Sequence, residues 1–175
     1  MKSLLILAIA LIAPVFIAHA DPKGLDDAEI VAIAMTLSQA EINAGNLAQS
    51  VSSHPEIKKF GQRVAAEHDD FHSSLRDWVN KQNIAPQRNS ISDSLKASEE
   101  KYLEKLKGLS GILFNLDYMS HKVVSHQQAL DMWDKKLIPE AEDEELKSLL
   151  RAMRKRLADN LEDARLIKSS LGRKK

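Results

Sequence analysis

The sequence contains no cysteine among its 175 residues. Disulfide frameworks, thiolate metal sites, iron–sulfur clusters, covalent c-type haem and thiol nucleophiles are thereby excluded together. Histidine and carboxylate remain as the ligand chemistry. Glycine (6) and proline (5) are scarce and fall almost entirely between segments of helical period, which favours a helical bundle over any sheet. Neither sign of charge dominates, with 25 basic against 25 acidic residues, so there is no basic footprint for nucleic acid. Glycine-rich phosphate loops and the nucleophile elbow of serine hydrolases are missing too. No Glu-x-x-His occurs anywhere, and the di-iron carboxylate arrangement needs two, so ferritin-type iron oxidation is disfavoured.

Long apolar runs are also lacking, with one exception. Lys2 precedes a stretch from Leu4 to Ile17 broken only by Pro14, and Ala18-His19-Ala20 follows with small residues at the positions a signal peptidase reads. The run falls short of the roughly 20 apolar residues of a membrane helix. Residues 1–20 are therefore predicted to be a cleavable signal peptide cut after Ala20, placing the mature chain in the periplasm or outside the cell; an uncleaved anchor is the competing reading. Removing Lys2 and no acid leaves a formal charge of −1 on residues 21–175, which are of a length for one domain. No later segment could span a bilayer.

The spacing predicts four long amphipathic helices. The first starts at Asp26, where Asp26 and Glu29 form a capping-box-like pair, and carries Ile30, Ile33, Leu37, Ala40, Ala44, Leu47 and Val51 on one stripe. His54-Pro55 opens the second, which runs to about Asn83. A polar loop at 84–92 precedes a short helix at 93–107, stopped by Gly108. The third long helix follows Ser110, with the stripe Ile112, Leu116, Met119, Val123, Leu130, Trp133 and Leu137, and Ile138-Pro139 breaks it. The last opens on Glu140 and the acids after it and closes on basic residues, a distribution that opposes the helix macrodipole and needs no partner to explain it. The short joints predict antiparallel pairs, with the long connection and the extra helix between the second and third long helices.

Several polar residues fall inside these stripes. Glu41, Glu67, His68, His126 and Asn160 all point inward near helix midpoints, where an antiparallel bundle would bring them to one level. His72 lies one turn after His68, a spacing able to bind one metal. His121 points away from its stripe, with Asp117 one turn earlier, as a solvated partner. Two readings of the inward set stand. One is a buried hydrogen-bond layer that fixes helix register. The other is a site for a divalent transition metal (Zn, Cu, Ni or Fe) or a small ligand, built on two imidazoles and a carboxylate. With an open position, a mononuclear metal at Glu41, His68 and His126 could activate water or oxygen as an enzyme; as a binding protein, the bundle would sequester a metal, associate with itself or dock an envelope partner.

The segment AEINAGNLAQSVSSHPEIKKFGQRVAAEHDDFH, residues 40–72, resembles the hallmark of the bacterial domain of unknown function 4142, and the likeness continues through LSGILFNLDYMSHKVVSHQQAL (109–130) and, more loosely, RLADNLEDARLI (156–167). The resemblance implies an exported protein with a ferritin-like antiparallel four-helix bundle, and it marks Glu41, His68, Tyr118 and His126. Two positions depart from the family pattern: Asn115 stands where Asp is usual and Asn160 where His is usual. Asn is a poor ligand for Zn or Cu, so the resemblance implies a degenerate site if those positions are ligands. It brings no activity with it.

Overall fold

The computed structural model describes residues 24–172, so the predicted signal peptide and its cleavage point lie outside the described residues. Every regular element among them is helical: α1 (Asp27–Val51), α2 (Pro55–Gln82), α3 (Ser90–Lys107), α4 (Gly111–Met132), α5 (Ile138–Glu140) and α6 (Glu144–Leu171). None of these helices is long and apolar enough to cross a membrane. The α1 start is as the sequence predicts. Asp26 accepts from the Glu29 amide at 3.0 Å and Glu29 reaches back to the Asp26 amide, closing a capping box. Pro55 occupies the first turn of α2, and Asn83 ends that helix in the left-handed conformation that Asn tolerates.

Three boundaries differ from the sequence expectation. Helix α3 begins at Ser90, not 93, because the Asn89 side chain caps it by accepting from the Ile91 and Ser92 amides. Ile138-Pro139 does not break the chain: α4 widens into a π-helical segment, Trp133–Leu137, and continues into α5, the wider turn making room for a proline that lacks a backbone donor. The real break is at 141–143. Glu140 therefore does not open α6, which starts at Glu144 behind Asp143; that carboxylate accepts from the Leu146 amide at 2.8 Å and from Trp78 Nε1 at 2.8 Å.

Adjacent long helices run antiparallel, as paired contacts show by running in opposite senses along the chain, whereas α2 and α4, which meet across the centre at Phe60–Tyr118 and His68–His126, run parallel. Ser38 meets His68 while Gly45 meets Gly61 and Ala65 (α1 with α2). Glu41 meets Lys122 while Ser52 meets Asn115 (α1 with α4). Trp78 meets Asp143 while Arg63 meets Asp163 (α2 with α6), and Asp134 meets Arg154 while Gln127 meets Arg165 (the α4 arm with α6). Helices α1 and α2 are pressed closest. A Cβ on Gly45 would lie 2.5 Å from the Gly61 carbonyl oxygen, so glycine is what permits that approach.

Helix α3 lies on α1 and the α4 side, contributing only Ser92 and Leu106 to the buried set. Because α1 is covered from several sides, Ile30 through Ala34 are buried consecutively, and no single stripe describes that stretch. The predicted α4 stripe holds from Met119 through Leu130, Trp133 and Leu137 and fails at its start. Ile112 and Leu116 are exposed, together with Leu113 and Val124, whereas Phe114, Tyr118, Lys122, His126 and Leu130 face inward. Apolar residues occur on both sides of α4, and periodicity alone could not choose between them.

The apolar core is in two parts. One gathers Ile30, Ile33, Leu75, Trp78, Trp133, Leu146 and Leu150. The other gathers Ala48, Ile57, Phe60, Val64, Phe114, Tyr118 and Met119. On α1, α2 and α4 the gap between them is filled by Ser38, Glu41, His68, Lys122 and His126, all buried.

Candidate metal centre

Three helix midpoints create this gap. On α1, Glu41 follows Ser38 by one turn; on α2, His68 lies between Val64 and Phe71; on α4, the four-residue step Phe114-Tyr118-Lys122-His126 lays one polar pair beneath two stacked aromatics. Glu41, His68 and His126 each offer a donor atom, and these atoms all lie within 4.8 Å of one another. A tetrahedral ion at bond lengths of about 2 Å wants its donors roughly 3.4 Å apart, so modest side-chain rotation would close the set.

Lys122 is the residue the sequence reading missed. Its ammonium, 1% exposed, donates to Glu41 Oε2 at 2.6 Å and stands 5.5 Å from the centroid of the Tyr118 ring. Lysine in a helix ordinarily reads as solvent-facing. Two signals were present nonetheless: Lys122 lies exactly one four-residue step from both Tyr118 and His126, and a buried Glu41 demands a positive partner.

The pair fixes protonation. Burial alone would raise the Glu41 carboxyl, but the Lys122 ammonium, with smaller pulls from His126 and His68, holds it down at about 2. Burial pushes His68 down to about 3, with the Glu41 charge offsetting only part. His126 is lowered by burial as well, again against the pull of Glu41. At neutral pH the site therefore presents one carboxylate, one ammonium and two neutral imidazoles, the form in which histidine and glutamate coordinate metals.

The imidazoles are poorly satisfied. His68 Nδ1 lies 3.4 Å from Ser38 Oγ, and its Nε2 has no hydrogen-bond partner. The Lys122 carbonyl faces the His126 ring from one turn back, outside hydrogen-bond geometry for either nitrogen. A cavity of about 50 Å³ is lined by Glu41, His68 and His126 together with Glu99, Ser125 and Trp133. It has room for an ion with a water, or for one or two waters.

The other sequence candidates go elsewhere. Asn160 is buried, but it donates to Glu67 Oε2 at 2.7 Å and accepts from Arg63 at 3.1 Å, and Arg63 also pairs with Asp163. Asn160 and Glu67 thus tie α2 to α6 outside the Glu41 set. His72 is half-buried on a separate cleft against α1 and α3. Asn115 accepts from Ser52 Oγ at 2.7 Å, a bond between α1 and α4 that Asp could equally make. Tyr118 lies in the lower core, stacked on Phe114 and edge-on to Phe60, its hydroxyl unbonded and its pKa pushed well above the usual phenol value by burial and then Glu41. His121 is not the partner of Asp117, which pairs with Lys105; its ring stacks on Tyr102 at 3.5 Å and its Nε2 lies 3.5 Å from Glu99, because α3 covers this side of α4.

Comparison with curated proteins and with solved structures gives no match. The family profile for a domain of unknown function, DUF4142, matches residues 16–167, most of the sequence and all of the polar layer: the chain belongs to the DUF4142 family.

Proposed function

We propose that this is an exported, periplasmic or secreted protein of ferritin-like four-helix architecture that holds a divalent transition metal at Glu41, His68 and His126. The apolar Leu4–Ile17 run and Ala18-His19-Ala20 support export of a single mature domain, residues 21–175. The antiparallel contacts among α1, α2, α4 and α6, with the long connection through α3 between α2 and α4, support the ferritin-like order. One observation carries the metal reading: buried imidazole nitrogens without hydrogen-bond partners converge with a carboxylate on one small cavity. A layer kept only for packing would be expected to satisfy its polar atoms. A three-donor set of this kind suits Zn, Cu(II), Ni or Fe(II), in a binding role.

Lys122 shapes the proposal. With Glu41 it makes the metal-free site neutral, and a dication would leave two uncompensated charges in the interior. Loading therefore sets the ion against the Lys122 ammonium for the Glu41 carboxylate, whose Oε2 already holds Lys122. The ion pair also supports a second reading, in which the layer serves helix register alone.

Elemental analysis of protein purified from its native compartment, with titration of Zn, Cu, Ni and Fe(II) into the metal-free form, separates the two. The metal reading expects one ion per chain and binding weakened at least about a hundredfold by His68→Ala or His126→Ala. Absence of stoichiometric metal, with titrations indifferent to both substitutions, would leave the register layer.

A further inference from the structure

A larger cleft, of about 300 Å³, lies outside the buried cavity. Its floor is the face of α1 carrying Met35, Gln39, Ala40 and Asn43, and its wall is the α3 face carrying Glu99 and Leu103. Ala40 and Glu99 line this cleft and the inner cavity alike, so they stand between the two spaces, at the place where a throat would open. Ala40 gives that throat its width. Glu99 gives it a charge.

Glu99 suits a transfer role better than a structural one. Its side chain is 19% exposed, so it can meet a hydrated ion. Its ion-pair partner among the described residues is His121, at 3.5 Å, so no lysine or arginine neutralises it. It is not among the converging donors of Glu41, His68 and His126, which separates it from the binding set. Above it, α3 buries little of its own surface, the mark of an element that opens at low cost. A cation moving from water to a buried cluster of zero net charge needs an anionic group on the way, and a single carboxylate at the throat is that group.

We infer that the α1–α3 cleft is the port by which a divalent cation reaches Glu41, His68 and His126, and that Glu99 captures the ion and passes it inward. This deepens the metal-holding reading and depends on it.

Stopped-flow loading of the metal-free full-length protein with Co²⁺, followed by its visible absorption, reads rate and affinity separately. Glu99→Gln is expected to slow loading by about tenfold or more while leaving the dissociation constant within about twofold, since carboxylates that focus a cation act on the encounter rate. Ala40→Leu, which narrows the throat, should slow loading and release together. Glu104→Gln, an exposed acid on α3 away from the cleft, should load at the wild-type rate. Circular dichroism melts confirm that each variant is folded, and Glu99→Ala serves if Glu99→Gln is not. Wild-type loading rates in both Glu99 variants would overturn the port, as would affinity lost in proportion to rate. Those results leave the metal site intact. Failure of the wild-type protein to take up Co²⁺, Zn²⁺, Cu²⁺, Ni²⁺ or Fe²⁺ would instead overturn the metal reading, and the port with it.

Discussion

Lys122 Nζ donates to Glu41 Oε2 at 2.6 Å between two apolar clusters, on helices whose sequence positions are 81 residues apart. This buried pair sets the charge of the central layer and the terms on which any cation enters, while burial keeps its histidines neutral. Its removal should be costly on one side and mild on both. Lys122→Met leaves a bare carboxylate and is expected to destabilise by about 3–5 kcal/mol, on the order of 10 °C in melting temperature. Glu41→Leu combined with Lys122→Met should be far milder, or stabilising. Thermal melts of the single and double variants check this, and a double variant as unstable as the single would contradict the ion-pair account.

The same substitution has a second readout. If Lys122 opposes the metal, Lys122→Met should bind Zn²⁺ more tightly than wild type and regain stability when Zn²⁺ is added, by ligand linkage. Differential scanning fluorimetry with and without the ion reads both effects. A variant that zinc does not rescue would count against a dication at Glu41.

Acidification should destabilise the protein in two overlapping windows. His68 is held at about 3 against an ordinary 6.5, so below pH 6.5 the unfolded chain binds a proton that the folded one refuses, and stability falls toward pH 3. Glu41 is held at about 2 against 4.5, so its contribution is complete above 4.5 and is lost as pH falls toward 2. His68→Gln should make the fall in stability between about pH 6.5 and 3 shallower, with His126 still contributing and the Glu41 loss below pH 4.5 retained. Urea unfolding across this range tests it; an unchanged upper slope in His68→Gln would refute the assignment.

The α1–α2 approach predicts a steric asymmetry among the glycines. A Cβ at Gly45 meets the Gly61 carbonyl at 2.5 Å, and one at Gly61 meets Ala48 Cβ at 2.9 Å, so either alanine substitution must push the helices apart. Each should cost about 1–3 kcal/mol in spite of alanine's better helix propensity. Gly172→Ala, whose Cβ would meet nothing closer than 3.9 Å, should be near neutral in the same urea titrations.

Asp143 does two jobs, capping α6 and accepting from Trp78 Nε1. Asp143→Ala should cost about 1–2 kcal/mol for the cap alone, and more for the stranded indole N–H. Asp143→Asn keeps the Oδ1 that accepts from both Leu146 and Trp78, loses the Oδ2 that accepts from Gln82 at 3.4 Å, and should recover most of the loss. Equal losses in the two variants would show that the charge, not the hydrogen bonds, matters.

The helices were legible where local chemistry decides them. Asp26 with Glu29, Pro55 and Asn83 mark ends that the structure reproduces, since caps and proline act within one turn. The inward placement of Glu41, His68 and His126 was legible too, because each lies between apolar residues at helical spacing. Lys122 was not. Its burial depends on which of two apolar faces of α4 turns inward, and Ile112, Leu116 and Val124 make the wrong face as plausible as the right one. The true start of α6 was hidden for a related reason: Asp143 is chosen over Glu140 by Trp78, 65 residues away.

By itself, then, the sequence determined an all-helical fold without thiol chemistry, most of its helix ends, and four inward polar residues, Glu41, His68, His126 and Asn160, on four helices, all consequences of side-chain identity and a 3.6-residue period. The tertiary structure alone decided that Glu41, His68 and His126 converge, that Lys122 neutralises Glu41 among them, that Asn160 and Glu67 serve each other elsewhere, and that Glu99 lines both the inner cavity and the α1–α3 cleft. Periodicity fixes the angle at which a side chain leaves its own helix. Which residue it then meets is set by the packing of helices distant in sequence, and by the low-dielectric interior in which a charge must find its partner.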